Sequence, residues 1–90
     1  MNLIETFLAQ VEARPDAAAI IMPDGRVVTY AQLSRASAIR ASAYAHAGIG
    51  PGDVVLIARG VSVELYETLL AVFRLGAVVM FPEPAAGLKI

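Results

Sequence analysis

The sequence predicts an α/β fold, a partial three-layer unit with one β-hairpin and one parallel βαβ crossover. Three observations carry this prediction. Val54–Ala58 and Ala77–Phe81 are five-residue apolar runs without polar alternation, bounded by turn residues, the pattern of strands covered on both faces. Between them, Leu65, Tyr66, Leu69, Leu70, Val72 and Phe73 cover about half the circumference of a helix over 62–75. Upstream, Asp24-Gly25 separates two short β-prone runs, a strong hairpin signal because glycine takes the positive φ that a tight turn needs.

Each element has a local reason. Residues 2–13 read as a helix: Ile4, Phe7, Leu8 and Val11 fall at helical spacing, and Asn2 with Glu5 resembles a capping box. Arg14-Pro15 stops it, because proline disfavours helical geometry in the residue before it. The hairpin occupies 17–30, with strands over Ala17–Met22 and Arg26–Tyr30. Thr29-Tyr30-Ala31-Gln32 has the Thr-x-x-Gln form of a second capping box. A helix follows over 30–47 and ends at Gly48, where a left-handed cap is sterically easy. Its expected inward face collects Leu33, Ala36, Ser37, Ala43, Tyr44 and Ala47, with Arg40 anomalously among them.

Gly48-Ile49-Gly50-Pro51-Gly52-Asp53 is a turn-rich connector into the strand at 54–58. Ser62 caps the next helix, whose Glu64, Glu67, Ala71 and Arg74 form a polar stripe opposite the apolar half. Gly76 ends it, and the strand at 77–81 is closed by Pro82. Strand, helix and strand over this length make a crossover with parallel strands and a right-handed connection.

Composition excludes several function classes. The apolar share is 58% and the mean hydropathy +0.66, high for ninety residues, in which surface dominates volume. Apolar runs this short fall well below the roughly 20 residues of a spanning helix, so no transmembrane segment is expected. Met1–Glu5 lacks the basic and apolar regions of a signal peptide, and a cytoplasmic location is the expectation. With no cysteine there is neither disulfide framework nor thiolate chemistry. A formal charge of −1 with scattered signs argues against nucleic acid as a partner. The surplus of apolar faces predicts that copies of this chain self-associate.

No chemistry-bearing constellation assembles. Arg59-Gly60-Val61-Ser62, after the strand at 54–58, has one glycine and matches neither dinucleotide nor P-loop spacing. His46 is the sole histidine, at a helix end that favours a cation, which fits a solvated residue. Glu64 and Glu67 fit a solvated stripe, although their spacing also admits a shared proton or metal. Glu83 follows a strand's carboxyl end, where open α/β sheets place ligand contacts. Ser34, Ser37, Ser42 and Ser62 have no nearby base in a nucleophile-elbow context.

The order of motifs over Arg14–Pro84 resembles the amino-terminal stretch of the adenylate-forming (AMP-dependent synthetase/ligase) superfamily. The motifs are Arg14-Pro15-Asp16-Ala17, Asp24-Gly25, Val28-Thr29-Tyr30-Ala31-Gln32-Leu33 and Gly48-Ile49-Gly50-Pro51-Gly52-Asp53-Val54-Val55. Ser62-x-Glu64, Leu69-Leu70-Ala71-Val72, Leu75-Gly76-Ala77-Val78-Val79 and Pro82 complete the series.

The resemblance implies a parent ligase of several hundred residues, acyl-CoA synthetase-like, that activates a carboxylate with ATP and magnesium. A thiol, coenzyme A or a carrier-protein pantetheine, then displaces AMP. It also implies that residues 1–90 are a fragment of the large amino-terminal domain, whose partner is the remainder of that ligase. The family's phosphate loop, adenine site and catalytic lysine lie further along. Lys89 matches none of them, so no catalytic, cofactor-binding or metal residue is assigned and the chain alone is expected to be inactive. Arg40, where relatives carry an aliphatic residue, and Val61 and Val63, in place of asparagine and proline, depart from the pattern. The tail from Glu83 to Lys89 is similar to that of members acting on long-chain acyl or β-hydroxy acids, which points to fatty acid metabolism. A free-standing protein-interaction module is the rival from another class.

Overall fold

The structure, a computed structural model, describes residues 3–58 and 60–81. The expected cap at Asn2, Arg59 of the loop, and Pro82, Glu83 and Lys89 lie outside the described residues.

Helix α1 (Leu3–Ala13) buries Phe7 and packs Ile4 and Val11 beside it, whereas Leu8 stays exposed. Arg14–Ala17 then turns the chain. Pro15 O accepts from Ala31 N at 2.9 Å, which ties this turn to the start of the second helix. Strands β1 (Ala18–Ile21) and β2 (Val27–Thr29) pair antiparallel. Gly25 has φ +91° and donates to Met22 O at 2.9 Å, which closes a three-residue turn of the expected chemistry. The register slips between Ala18 and Ile20, and Ala19 and Ile20 both pack on the core. Such a bulge explains an apolar run without alternation on a hairpin.

Thr29 caps helix α2 (Tyr30–His46) with both bonds of the box: its hydroxyl accepts from Gln32 N and its N–H donates to the Gln32 side chain. Gly48 (φ +99°) ends it in a Schellman motif, with Gly48 N to Ala45 O at 3.0 Å and Ile49 N to Tyr44 O at 3.1 Å. Helix α3 (Val63–Arg74) begins at Ser62, whose hydroxyl accepts from Leu65 N, and ends in the same motif around Gly76 (φ +72°). A Cβ on Gly76 would also meet Pro51 at 3.6 Å.

Strands β3 (Val54–Leu56) and β4 (Val78–Met80) flank α3 in sequence and pair parallel, Val54 opposite Val78 and Leu56 opposite Met80. Two sheets of two strands result, not one. Helices α2 and α3 pack along each other, α2 touches the hairpin and α3 touches β4. Phe7, Leu33 and Leu70 form the core between α1, α2, α3 and the hairpin. The burial of such side chains stabilises the fold by about 1.5–3 kcal/mol each.

Three expectations are corrected. The parallel strands are not covered on both faces: Val54, Leu56, Val78 and Met80 are 60%, 61%, 51% and 51% exposed, while Val55 and Val79 are half-buried. The inward side of α2 runs through Leu33, Ser37 and Ala41, and Ala43 and Ala47 are exposed. The stripe opposite the apolar half of α3 is not solvated as a whole. Ala71 is fully buried, and Glu67 and Arg74 bond to α2.

Candidate functional site

Two features of the described residues merit analysis as sites, one polar and one apolar. The polar one is the seam between α2 and α3. Helical spacing puts Ser34, Ser37, Arg40 and Tyr44 on one side of α2, facing Glu67 and Arg74, two turns apart on α3. Arg74 donates from Nε to Ser37 Oγ at 3.0 Å, and from Nη2 to Ser34 Oγ at 2.8 Å and Ser34 O at 3.2 Å. Ser37, fully buried, donates in turn to Ser34 O at 2.9 Å. One turn on, Arg40 Nε donates to Glu67 Oε1 at 2.9 Å. The Glu67 bond, then the Tyr44 bond, hold the Arg40 guanidinium pKa above its usual value, against the opposing effect of burial. It therefore stays charged at every pH at which a protein is handled.

This seam joins the two helices through side-chain hydrogen bonds. Its serines accept from a guanidinium, which cannot serve as a base, so neither is an activated nucleophile. Glu67, considered above with Glu64 for a shared proton or metal, is committed to Arg40. Among the described residues no group of three histidine, cysteine or acidic side chains could hold a metal ion. His46 Nδ1 lies 3.0 Å from Ser42 O on its own helix and is exposed. Sequence reasoning missed the seam, although the three- and four-residue spacing of polar side chains on α2 is its signal.

The apolar feature is an open hollow of about 430 Å³ between α1, the hairpin and α3. Phe7, Ile20, Tyr30, Tyr66, Leu69 and Phe73 are among its lining. Its volume suits a small molecule, but ligand sites add several convergent polar groups. Here the two tyrosines are the only lining residues with a polar side chain. After β3, where a phosphate loop would begin, Gly60 and Val61 lead to Ser62, whose hydroxyl is engaged in capping α3. No described helix crosses a membrane: none is long and apolar enough.

Comparison with known proteins supplies what this geometry alone does not. The sequence profile of the AMP-binding enzymes matches residues 7–88. Malpibaldin synthetase of Mortierella alpina is 38% identical over 80 residues, which is 89% of this chain and 1% of that protein. The N-terminal subdomain of Klebsiella oxytoca NpsA, solved with 3-hydroxybenzoyl-AMSN, superposes at a TM-score of 0.82 with 30% identity. That match covers 89% of this chain and 20% of that one. A double mutant of o-succinylbenzoate CoA synthetase (MenE) from Bacillus subtilis, bound to a product analogue, gives 0.79 and 26%, over 86% and 16%. The chain thus spans a small fraction of each relative.

Proposed function

Because the chain belongs to the AMP-binding enzyme family, we propose that it is the leading scaffold of a carboxylate-activating ligase and supplies none of the reacting groups. The observation that carries this reading is the family match over residues 7–88, on a fold whose polar groups bond to one another across α2 and α3. The proposed reaction of the whole ligase has two steps. A carboxylate oxygen attacks the α-phosphorus of ATP and pyrophosphate leaves, giving an acyl-adenylate. A thiolate then attacks the acyl carbon and AMP leaves.

The described residues do not fit ATP, magnesium or coenzyme A: they offer neither a glycine-rich phosphate cradle nor a cluster of acidic ligands. What this chain's residues do is hold shape. The core of Phe7, Leu33 and Leu70 sets the hairpin against α3, and the seam joins α2 to α3, which packs on β4.

The thiol is proposed to be coenzyme A, as the name of MenE states for that relative, and the acid a fatty acyl chain. The similarity of the tail from Glu83 to Lys89 to that of members acting on long-chain acyl acids motivates the acid. The scaffold role is tested by transplantation. In NpsA, the segment that superposes on residues 3–81 is replaced by this one. The expected chimera binds 3-hydroxyanthranilyl-AMSN and retains carboxylate-dependent ATP–pyrophosphate exchange within about tenfold, some 1.4 kcal/mol of barrier. A folded chimera that has lost both would contradict the proposal.

A further inference from the structure

We infer that Asp24-Gly25 is a latent site of aspartate isomerisation and that Arg26 guards it. Every contact involved lies within residues 22–26, so the inference is independent of the ligase reading. Asp24-Gly25 is the sole Asp-Gly or Asn-Gly pair in the chain, and both residues are exposed at the hairpin turn.

The chemistry is an intramolecular condensation. The backbone nitrogen of Gly25 attacks Cγ of Asp24 in its protonated form. The N–Cγ bond forms, the Cγ–OH bond breaks, and the N–H proton leaves with that hydroxyl as water. Holding both groups in one chain favours such a five-membered ring closure, and glycine has no Cβ to hinder the approach. Water then opens the imide. Attack at Cγ restores aspartate, whereas attack at the main-chain carbonyl of Asp24 breaks its bond to Gly25 N and leaves a β-linked isoaspartate. No co-reactant besides water is needed. Nothing lies within 4 Å of where a Cβ on Gly25 would stand, so water has access to the ring. The product carries one extra main-chain carbon beside the rung at which Ile21 faces Val27.

The folded turn holds the reacting groups off this path. Asp24 Oδ1 accepts from Arg26 N at 3.0 Å, and Oδ2 accepts from Arg26 Nε at 2.7 Å. Either oxygen, to depart as water, must give up the bond it accepts, and the carboxyl must turn from Arg26 toward Gly25 N. That nitrogen is itself committed, donating to Met22 O at 2.9 Å. The side chains of Asp24 and Arg26 are both exposed, which limits the pair to a factor of about two to five in rate. A backbone bond is worth about two- to tenfold. Together they make the folded turn on the order of tenfold slower than the unfolded chain.

The test incubates the whole chain at near-neutral pH and body temperature and measures isoaspartate at position 24 by peptide mapping with electron-transfer mass spectrometry. The parent should isomerise about tenfold more slowly folded than in denaturing urea. Arg26→Gln should be about two- to fivefold faster than the parent when folded, and equal to it in urea. Thr29→Val, which weakens the neighbouring cap without touching Asp24, should leave the folded rate unchanged. Equal rates for the folded parent and folded Arg26→Gln would overturn the inference. So would isomerisation of the parent no faster in urea, or an Arg26→Gln effect that persists there and so belongs to the sequence alone. Acceleration by Thr29→Val to the same extent as by Arg26→Gln would also overturn it, since general loosening of the hairpin would then set the rate.

Discussion

Replacing Arg74 by methionine tests whether the α2–α3 seam holds as one network. The change keeps most of the apolar stem and removes three hydrogen bonds, to Ser37 Oγ, Ser34 Oγ and Ser34 O. Bonds to a charged group contribute about 1.5–3 kcal/mol each, but three such values do not add here. Nη2 divides itself between two acceptors on Ser34, which is half-buried and reaches water. Ser34 O also keeps its bond from Ser37. Only Ser37, with no exposed surface, loses a partner that water cannot replace. The expected cost of Arg74→Met is therefore about 2 kcal/mol, within the penalty for leaving a buried acceptor unsatisfied, Ser37 Oγ still donating to Ser34 O. For a chain of this size that lowers Tm by roughly 8–16 °C. Ser37→Ala alone should cost about 1 kcal/mol, since Arg74 keeps both contacts to Ser34. The double variant should cost at least about 1 kcal/mol less than the sum, because removing both partners leaves no buried acceptor unsatisfied. Urea denaturation of all four proteins measures the cycle. Additivity within about 0.5 kcal/mol would refute the network.

Two further variants test the boundary between hairpin and α2. Gly25→Val forces a branched side chain to φ +91°, where no neighbour would clash, so its cost of about 1 kcal/mol or more is conformational. Thr29→Val removes the acceptor for Gln32 N while Gln32 can still bond Thr29 N–H, and about 1 kcal/mol is expected. Denaturant midpoints unchanged in both would show that neither the turn nor the cap contributes as described.

Features encoded by neighbouring residues were legible in the sequence. The Thr29–Gln32 box, Gly25, the terminator at Gly48 and the parallel crossover around α3 depend on local chemistry and on a change of apolar period. The β-bulge near Ala19 had only an indirect sign, the failure of Ala17–Met22 to alternate. Pairing between distant residues was harder. Arg40 was visibly out of place on an inward face, but Glu67, its partner, is 27 positions away. Glu67 and Arg74 read as solvated polar side chains because single-helix patterns do not register a polar partner on another helix. Likewise, continuous apolar strands show that a face is suited to burial. They do not show which segment covers it, and here one face of β3–β4 is open. The family was legible because its motifs recur in order over most of the chain.

Calorimetric titration of this chain with ATP and magnesium tests the scaffold reading most directly. The account predicts no saturable binding up to millimolar nucleotide, because no described element presents a phosphate cradle. A single site with a Kd below about 0.1 mM, some 5.5 kcal/mol of binding free energy, would contradict it.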